Sequence, residues 1–400
     1  MMILAVVFPW STSVTIGLLL VISPMILTTY SPREVIKEFK RPACALPMAL
    51  VGLGLAGTAW ASEVPWSDRL HALEKLLKLL WMLPLLLHFR KTSRATSVFT
   101  AYVLSNLVLL AFSFLVFFSA ELRGVVGVKA PGVPLKNYID QSQAFALLAV
   151  IFLGLGAEAI RNRFVERAIA FVALSATFFA NLAFINIART AFLYIPVMLA
   201  LVILRYARGW RCLALSAGLS CLVAGLWATS PNLQSKLSRV FKEVSAFEAN
   251  APSIEGEPAG GAERLEFWRK SIGFVRLAPI IGHGTGSTKE LFASEAAGKS
   301  GIEAMVVDNP HNQTLAVAIQ WGLMGCLVLY AMWGAHLWLF RHGIGGQNRS
   351  LLAWMGLVAV VQNIVSSLIN SHLFDFYQGW LYLFAVAIAS GQLDRDKAAA

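Results

Sequence analysis

Asp308-Asn309-Pro310-His311-Asn312-Gln313-Thr314-Leu315 opens a run of about 25 residues that carry no formal charge. Pro310 disfavours helix at Asn309 and is well suited to begin one, so the pattern predicts His311 in the first turn of a long apolar helix. That places a titratable imidazole where a membrane-crossing helix meets water.

Composition supports a membrane reading. The chain is 57% hydrophobic and 14% charged, with a mean hydropathy of +0.66, and apolar runs of about 18 residues or more recur along it. The expected class is therefore an all-α, polytopic integral membrane protein. The net charge of +11 would suggest nucleic acid in a soluble chain. Here most Lys and Arg lie in short turns between apolar runs, as topology signals do, and no nucleic-acid partner is expected. Cys44, Cys212, Cys221 and Cys326 all fall in apolar segments without metal-ligand or disulfide spacing and read as packing residues.

Residues 3 to 27 make one span on length alone, with two short helices bent at Pro9 as the alternative. A cleaved signal peptide is not expected, because a basic segment and a clear cleavage site are both missing. Arg33, Lys37, Lys40 and Arg41 form a basic turn placed on the cytoplasmic side. Further spans are expected at 44 to 61, 72 to 88, 96 to 118, 142 to 160, 211 to 229, 313 to 340, 350 to 369 and 378 to 391. Turns with Arg90, Lys91 and Arg94, then Arg161, Arg163 and Arg167, then Arg205, Arg208 and Arg211 fall inside. So do Arg341 with Arg349, and Arg395 with Lys397, the latter beside a polar tail, Asp394-Arg395-Asp396, read as a solvated end. Most acids, including Glu63, Asp68, Glu121 and Asp140, fall outside, and one registration satisfies the positive-inside rule.

The stretch from 168 to 206 is the most constrained. Both flanks are basic and require an even number of crossings, yet 39 residues span only about 58 Å of helix against about 60 Å for two crossings. The turn must fall near Asn186-Ile187-Ala188-Arg189-Thr190, which puts Arg189 at the exterior surface with His311. The one large hydrophilic insertion, 230 to 309, follows on that side. Within it, 249 to 261 reads as a flexible connector. Leu265, Trp268, Ile272 and Val275 form a helical stripe expected to face the membrane or the bundle mouth. Gly282-His283-Gly284-Thr285-Gly286-Ser287 is turn-rich and suited to offering backbone N–H groups to an anion, or is an ordinary turn. The chain thus divides into 1 to 229, an N-terminal bundle; 230 to 309, the exterior loop; and 310 to 400, the C-terminal helices and tail.

Arg189, Arg264, His311 and Asp375 collect on the exterior side. Guanidinium groups offer forked donors to diphosphate, and a histidine can take a proton from an attacking hydroxyl near neutral pH. The plainer alternatives are a snorkelling anchor for Arg189, a cap for His311 and a surface ion pair for Arg264. His283, His336, His342 and His372 show no ligand spacing with carboxylates, so no metal is expected.

Three stretches resemble the O-antigen ligase family: Ala188-Arg189-Thr190-Ala191; Gly261-Ala262-Glu263-Arg264-Leu265 leading through Ala278-Pro279-Ile280-Ile281-Gly282 to Gly286; and Pro310-His311-Asn312 running into Gly322-Leu323-Met324-Gly325. Their order and the loop between them fit across roughly residues 140 to 391. The resemblance implies a GT-C-like bundle of about twelve membrane helices, eleven being the alternative here because the first 28 residues are short for two crossings. It implies transfer of a glycan from undecaprenyl diphosphate to lipid A-core oligosaccharide at the periplasmic face of the bacterial inner membrane, inverting, with neither metal nor cofactor. By position, Arg189 and Arg264 would hold the diphosphate and His311 would be the base or orienter. Asn312, Asp375 and Lys78 would support the site. An O-antigen polymerase using the same donor is the nearest alternative. A lipid-linked glycan transporter is the second, and it would need ionisable groups at mid-membrane, for which Glu158 and Lys78 are the nearest.

Overall fold

The computed structural model describes residues 1–128, 130–135, 137–248, 260–344 and 350–399. Among them the regular structure is entirely helical. The first third contains α1 (Met2–Val7), α2 (Thr12–Thr28), α3 (Pro32–Phe39), α4 (Pro42–Gly57), α5 (Trp66–Leu77), α6 (Met82–Lys91), α7 (Ala95–Phe118) and α8 (Ala120–Val126). The middle holds α9 (Tyr138–Arg161), α10 (Val165–Phe184), α11 (Ala191–Tyr206), α12 (Trp210–Thr229) and α13 (Pro231–Glu248). The last third comprises α14 (Gly261–Leu277), α15 (Ser287–Ala296), α16 (Gln313–Leu339), α17 (Leu351–Ser366) and α18 (Phe376–Ala399).

Five of these, α7, α9, α10, α12 and α16, are long and apolar enough to cross a membrane, and the count is six if α2 and α3, bent by 115°, form one span. α4, α11 and α17 are shorter apolar helices. This is consistent with a polytopic membrane protein. The break between α10 and α11 falls at residues 185–190, where the length arithmetic required it. The expected connector at 249 to 261 lies outside the described residues up to 259, as does Arg349.

Several expectations need correction. Residues 3 to 27 are not one span: the chain breaks at Pro9 to Ser11, where proline removes an N–H and the Ser11 hydroxyl caps α2 by accepting from Val14 N–H at 3.3 Å. Trp10 Nε1 donates to Ser105 Oγ at 2.7 Å, and Ser105 Oγ donates to the Val6 carbonyl at 2.6 Å, fixing α1 against α7. The span expected at 72 to 88 is interrupted by a 3₁₀ segment, Lys78–Trp81. Asp394 is not a solvated end: α18 runs on through it, and its carboxylate receives Arg41 at 2.9 Å and Arg90 at 2.8 Å. Arg90 also meets the buried Glu38 at 2.9 Å, so this cluster ties α3, α6 and α18 together at one end of the bundle. Arg205 is likewise buried, donating to the carbonyls of Gly343 and Ser350.

The span expected at 313 to 340 is broken at Gly322, whose φ of 59° and ψ of −153° lie outside the helical region. A break deep in an apolar bundle frees backbone groups that must find partners. The segment after α14 supplies them. His283 and Gly284 N–H donate to the carbonyls of Ile319 and Gln320 at 2.8 and 2.9 Å, while Leu323 and Met324 N–H donate to those of Pro279 and Ile280 at 2.8 and 3.1 Å. The two backbones cross so closely that a Cβ on Gly282 would lie 2.5 Å from Gln320 C, and one on Gly322 would lie 2.4 Å from Ile280 C.

Gly322→Ala is therefore expected to cost about 3 kcal/mol or more, from a strained backbone and a backbone clash. Gly334→Ala, in the same helix with nothing within 4 Å, should be neutral or stabilise by up to about 1 kcal/mol. Thermal unfolding in detergent checks both. An unchanged melting temperature for Gly322→Ala would show that the crossing does not hold the helix break.

Candidate active site

His311 is not in the first turn of α16. The helix starts at Gln313, with Asn312 as its cap accepting from Leu315 N–H at 3.0 Å. His311 instead sits in the loop with φ of 54°, a left-handed conformation uncommon for a side-chain-bearing residue. Asn309 holds it there: Asn309 Oδ1 accepts His311 N–H at 2.9 Å and the Ser371 hydroxyl at 2.7 Å. Pro310 thus leads into an Asx-type turn rather than a helix. From below, α14 supports the loop, with Trp268 Nε1 donating to the Pro310 carbonyl at 3.0 Å and the Phe267 ring stacked 6.4 Å from the imidazole.

The most deeply buried edge of α14 is aromatic. Phe267 and Phe274 are buried with Lys270 and Ser271, whereas Ile272 is 45% exposed. The helix packs through its aromatic edge against α15 and the His311 loop. Of the expected stripe, Trp268 and Val275 pack against this aromatic cluster, Leu265 is half-buried and Ile272 is left exposed.

His311 opens on a cleft of about 590 Å³ bounded by α5, the start of α15, residues 306–309, α16 and Phe374-Asp375. Asp375 lines it, and its carboxylate pairs with His372 Nδ1 at 2.9 Å. Arg264, Asn312 and Lys78 do not line it. Each instead donates to a backbone carbonyl in the turn between α17 and α18: Arg264 to Ile369 at 3.1 Å, Asn312 to Leu368 at 2.8 Å, and Lys78 to Phe374 and Asp375, both at 2.6 Å. These side chains shape the turn that carries Asp375 and Asn370. Arg189 lies at the α10–α11 connection, half-buried, beside the Ala188 N–H that donates to Ser142 Oγ at 2.9 Å, and it too is off the cleft wall.

The glycine-rich turn at 282 to 287 does not present its amides to an anion. Gly282, His283, Gly284, Thr285, Gly286 and Ser287 N–H groups all donate within the protein, the fifth to Gln320 Oε1 at 2.8 Å. Among the described residues no group of three or more His, Cys, Asp or Glu is placed to hold a metal ion.

Sequence reasoning missed Asn309, Asn370 and Ser371, and the polar face of α5. Asp68, His71 and Lys75 recur at helical spacing on α5 and were legible as a stripe, but that stretch was divided between loop and span. Lys75 meets Asp308 at 2.6 Å, and His71 Nε2 lies 3.5 Å from the same carboxylate.

The ring of His311 has a defined tautomer. Asn370 Oδ1 accepts Ser371 N–H at 3.0 Å, which identifies that atom as oxygen, and His311 Nδ1 lies 2.9 Å from it. Nδ1 must therefore carry the proton, leaving Nε2 as the acceptor. Burial pushes the imidazole pKa down, and the nearby Arg264 guanidinium adds to this. The Asn370 bond and the carboxylates of Asp375 and Asp308 oppose it without reversing it. The ring is neutral at pH 7. Asn370→Asp puts a charge on the Nδ1 side and should raise the His311 pKa by about one unit or more. Titration of the histidine ring signals by NMR measures it, and no rise would remove Asn370 as the partner that sets the tautomer.

Residues 170–330 match the model of the family described as O-antigen ligase, a stretch that contains Arg189, Arg264 and His311. No curated protein matches the chain. The helix break at Gly322 and the segment that splints it both fall inside the matched stretch, which therefore covers the structural device holding the cleft as well as the histidine that opens on it. Over residues 170–330, about two fifths of its length, the chain is thus similar to the O-antigen ligase family.

Proposed function

We propose that the chain transfers a glycan from undecaprenyl diphosphate to a hydroxyl of lipid A-core oligosaccharide. The observation that carries this reading is a neutral histidine whose acceptor nitrogen is fixed by Asn370, opening on a polar cleft and lying in the stretch similar to the O-antigen ligase family. In this reading the acceptor hydroxyl attacks the anomeric carbon of the glycan, its proton passes to His311 Nε2, and the bond from that carbon to the diphosphate oxygen breaks with inversion. Arg264 and Arg189 stabilise the charge gathering on the leaving diphosphate, a role suited to a guanidinium. Asp375 orients the acceptor. Asn312 and Lys78 hold the turn between α17 and α18, and contribute to substrate binding through it.

The same reading makes the protein a GT-C-like bundle of about twelve membrane helices, the first of them partial, in the bacterial inner membrane with the cleft facing the periplasm. The three-part division at 229 and 309 follows from it. The reaction requires no metal and no nucleotide sugar. An O-antigen polymerase shares the donor and the family, and differs in joining repeat units to one another.

Transfer by the purified protein in detergent, with lipid-linked O-antigen, lipid A-core and EDTA present, tests the reading. His311→Ala should reduce the rate about 10²-fold or more with the fold intact, and Arg189→Ala and Arg264→Ala should also lose most activity. Because the ring must be neutral to accept a proton, activity should be full at pH 7. It should fall only as pH drops through a value below the ordinary histidine range. Undiminished transfer by His311→Ala rejects the base. Extension of lipid-linked repeats in place of transfer to lipid A-core identifies a polymerase.

A further inference from the structure

The cleft beneath α5 and α15 is poorly suited to a diphosphate. Its walls set the carboxylates of Asp68, Asp308 and Asp375 against the ammoniums of Lys75 and Lys289, three negative groups to two positive. Both lysines are engaged: Lys75 holds Asp308 at 2.6 Å, and Lys289 lies 3.3 Å from both Asp68 oxygens. Burial alone would raise the Asp308 carboxyl, but the Lys75 hydrogen bond and charge, with His71 beyond, hold it below its ordinary range and keep it ionised. An entering diphosphate would meet like charge here, with the ammoniums already committed.

Thr288 supplies an independent observation. It stands in the first turn of α15 on the cleft wall, is 3% exposed, and its hydroxyl has no hydrogen-bond partner among the described residues. A buried hydroxyl offers one donor and two acceptor positions, which suits another hydroxyl, and ionised carboxylates accept from O–H groups. Ala72, Val306, Val307, Ala316 and Phe374 line the same walls. Polar and apolar lining together suit a pyranose, which has C–H groups on its faces and hydroxyls around its edge. A volume of about 590 Å³ is in the range of small-molecule sites.

We propose that this cleft seats the acceptor as an uncharged sugar read through its hydroxyls, with Thr288 and Asp68 deciding which sugar is admitted, and that the diphosphate is held on the Arg264 side of His311. The inference rests on the transferase reading above. In this arrangement the acceptor meets His311 from the carboxylate-bearing cleft, and the diphosphate lies outside that cleft, toward Arg264, whose guanidinium holds the carbonyl beside Asn370. The acceptor hydroxyl reaches His311 from the cleft, so neither substrate must pass the other's charged group.

Equilibrium binding to the full-length detergent-solubilised protein tests this, with a neutral outer-core oligosaccharide and inorganic pyrophosphate as separate probes. Thr288→Val keeps the side-chain shape and removes the hydroxyl. Asp68→Asn keeps the shape and removes the charge. Oligosaccharide affinity should fall about tenfold in each variant, and pyrophosphate affinity should not fall. In transfer assays the acceptor KM should rise with the donor KM unchanged. Loss of pyrophosphate binding in Thr288→Val, or oligosaccharide binding indifferent to both substitutions, overturns the assignment. Wild-type protein that transfers nothing, yet binds oligosaccharide in a manner sensitive to both substitutions, rejects the transferase reading and keeps the sugar site.

Discussion

A helix cannot be cut inside an apolar bundle unless something pairs the backbone groups set free. The cut in α16 at Gly322 is the constraint on which the functional end of this protein rests. Four hydrogen bonds from residues 279 to 284 repair it, two in each direction. The repair works only because both strands of the crossing lack a Cβ at the point of contact. It fixes the start of α15 over the cleft, seats Gly286 N–H on the Gln320 side chain, and lets the first half of α16 deliver the His311 loop at its own angle.

The second organising feature is the turn between α17 and α18. Ser367, Leu368 and Ile369 give carbonyls to Gln313, Asn312 and Arg264, Asn370 meets the imidazole, and Phe374 and Asp375 give carbonyls to Lys78. A chain with few regular hydrogen bonds of its own is thereby held residue by residue from four directions. The rigidity needed for a defined histidine tautomer comes from this grip rather than from secondary structure.

Much of this was legible before any coordinates. Apolar runs located the long helices, and chain length alone put the α10–α11 break around Arg189, because no residues were left for a loop elsewhere. The glycine stretches at 282 and 322 stood out as motifs separately, yet neither announces its partner. Their meaning is a mutual close approach about 40 residues apart in sequence, which periodicity does not register. Pro310 argued for helix at His311, and the local argument lost to a stronger local competitor, the Asn309 side chain. Arg264 and Lys78 stood out as candidate diphosphate contacts, but the grip each has on a carbonyl of the turn between α17 and α18 could not be read from the sequence, because charge does not announce a backbone partner about 100 to 300 residues away.

The contacts that close the cleft also join the two ends of the chain. Lys75 to Asp308 spans 233 positions, Lys78 to Phe374 spans 296, and at the other end Arg41 to Asp394 spans 353. During synthesis, which proceeds at about 5–20 residues per second, the first third must wait many seconds for these partners. Lys75 waits for Asp308, Lys78 for the turn before α18, and Arg41 for Asp394 within α18. The working end therefore completes only after α17 has been made, and a chain that stops within α17 lacks the turn that positions His311 however well its earlier helices have inserted.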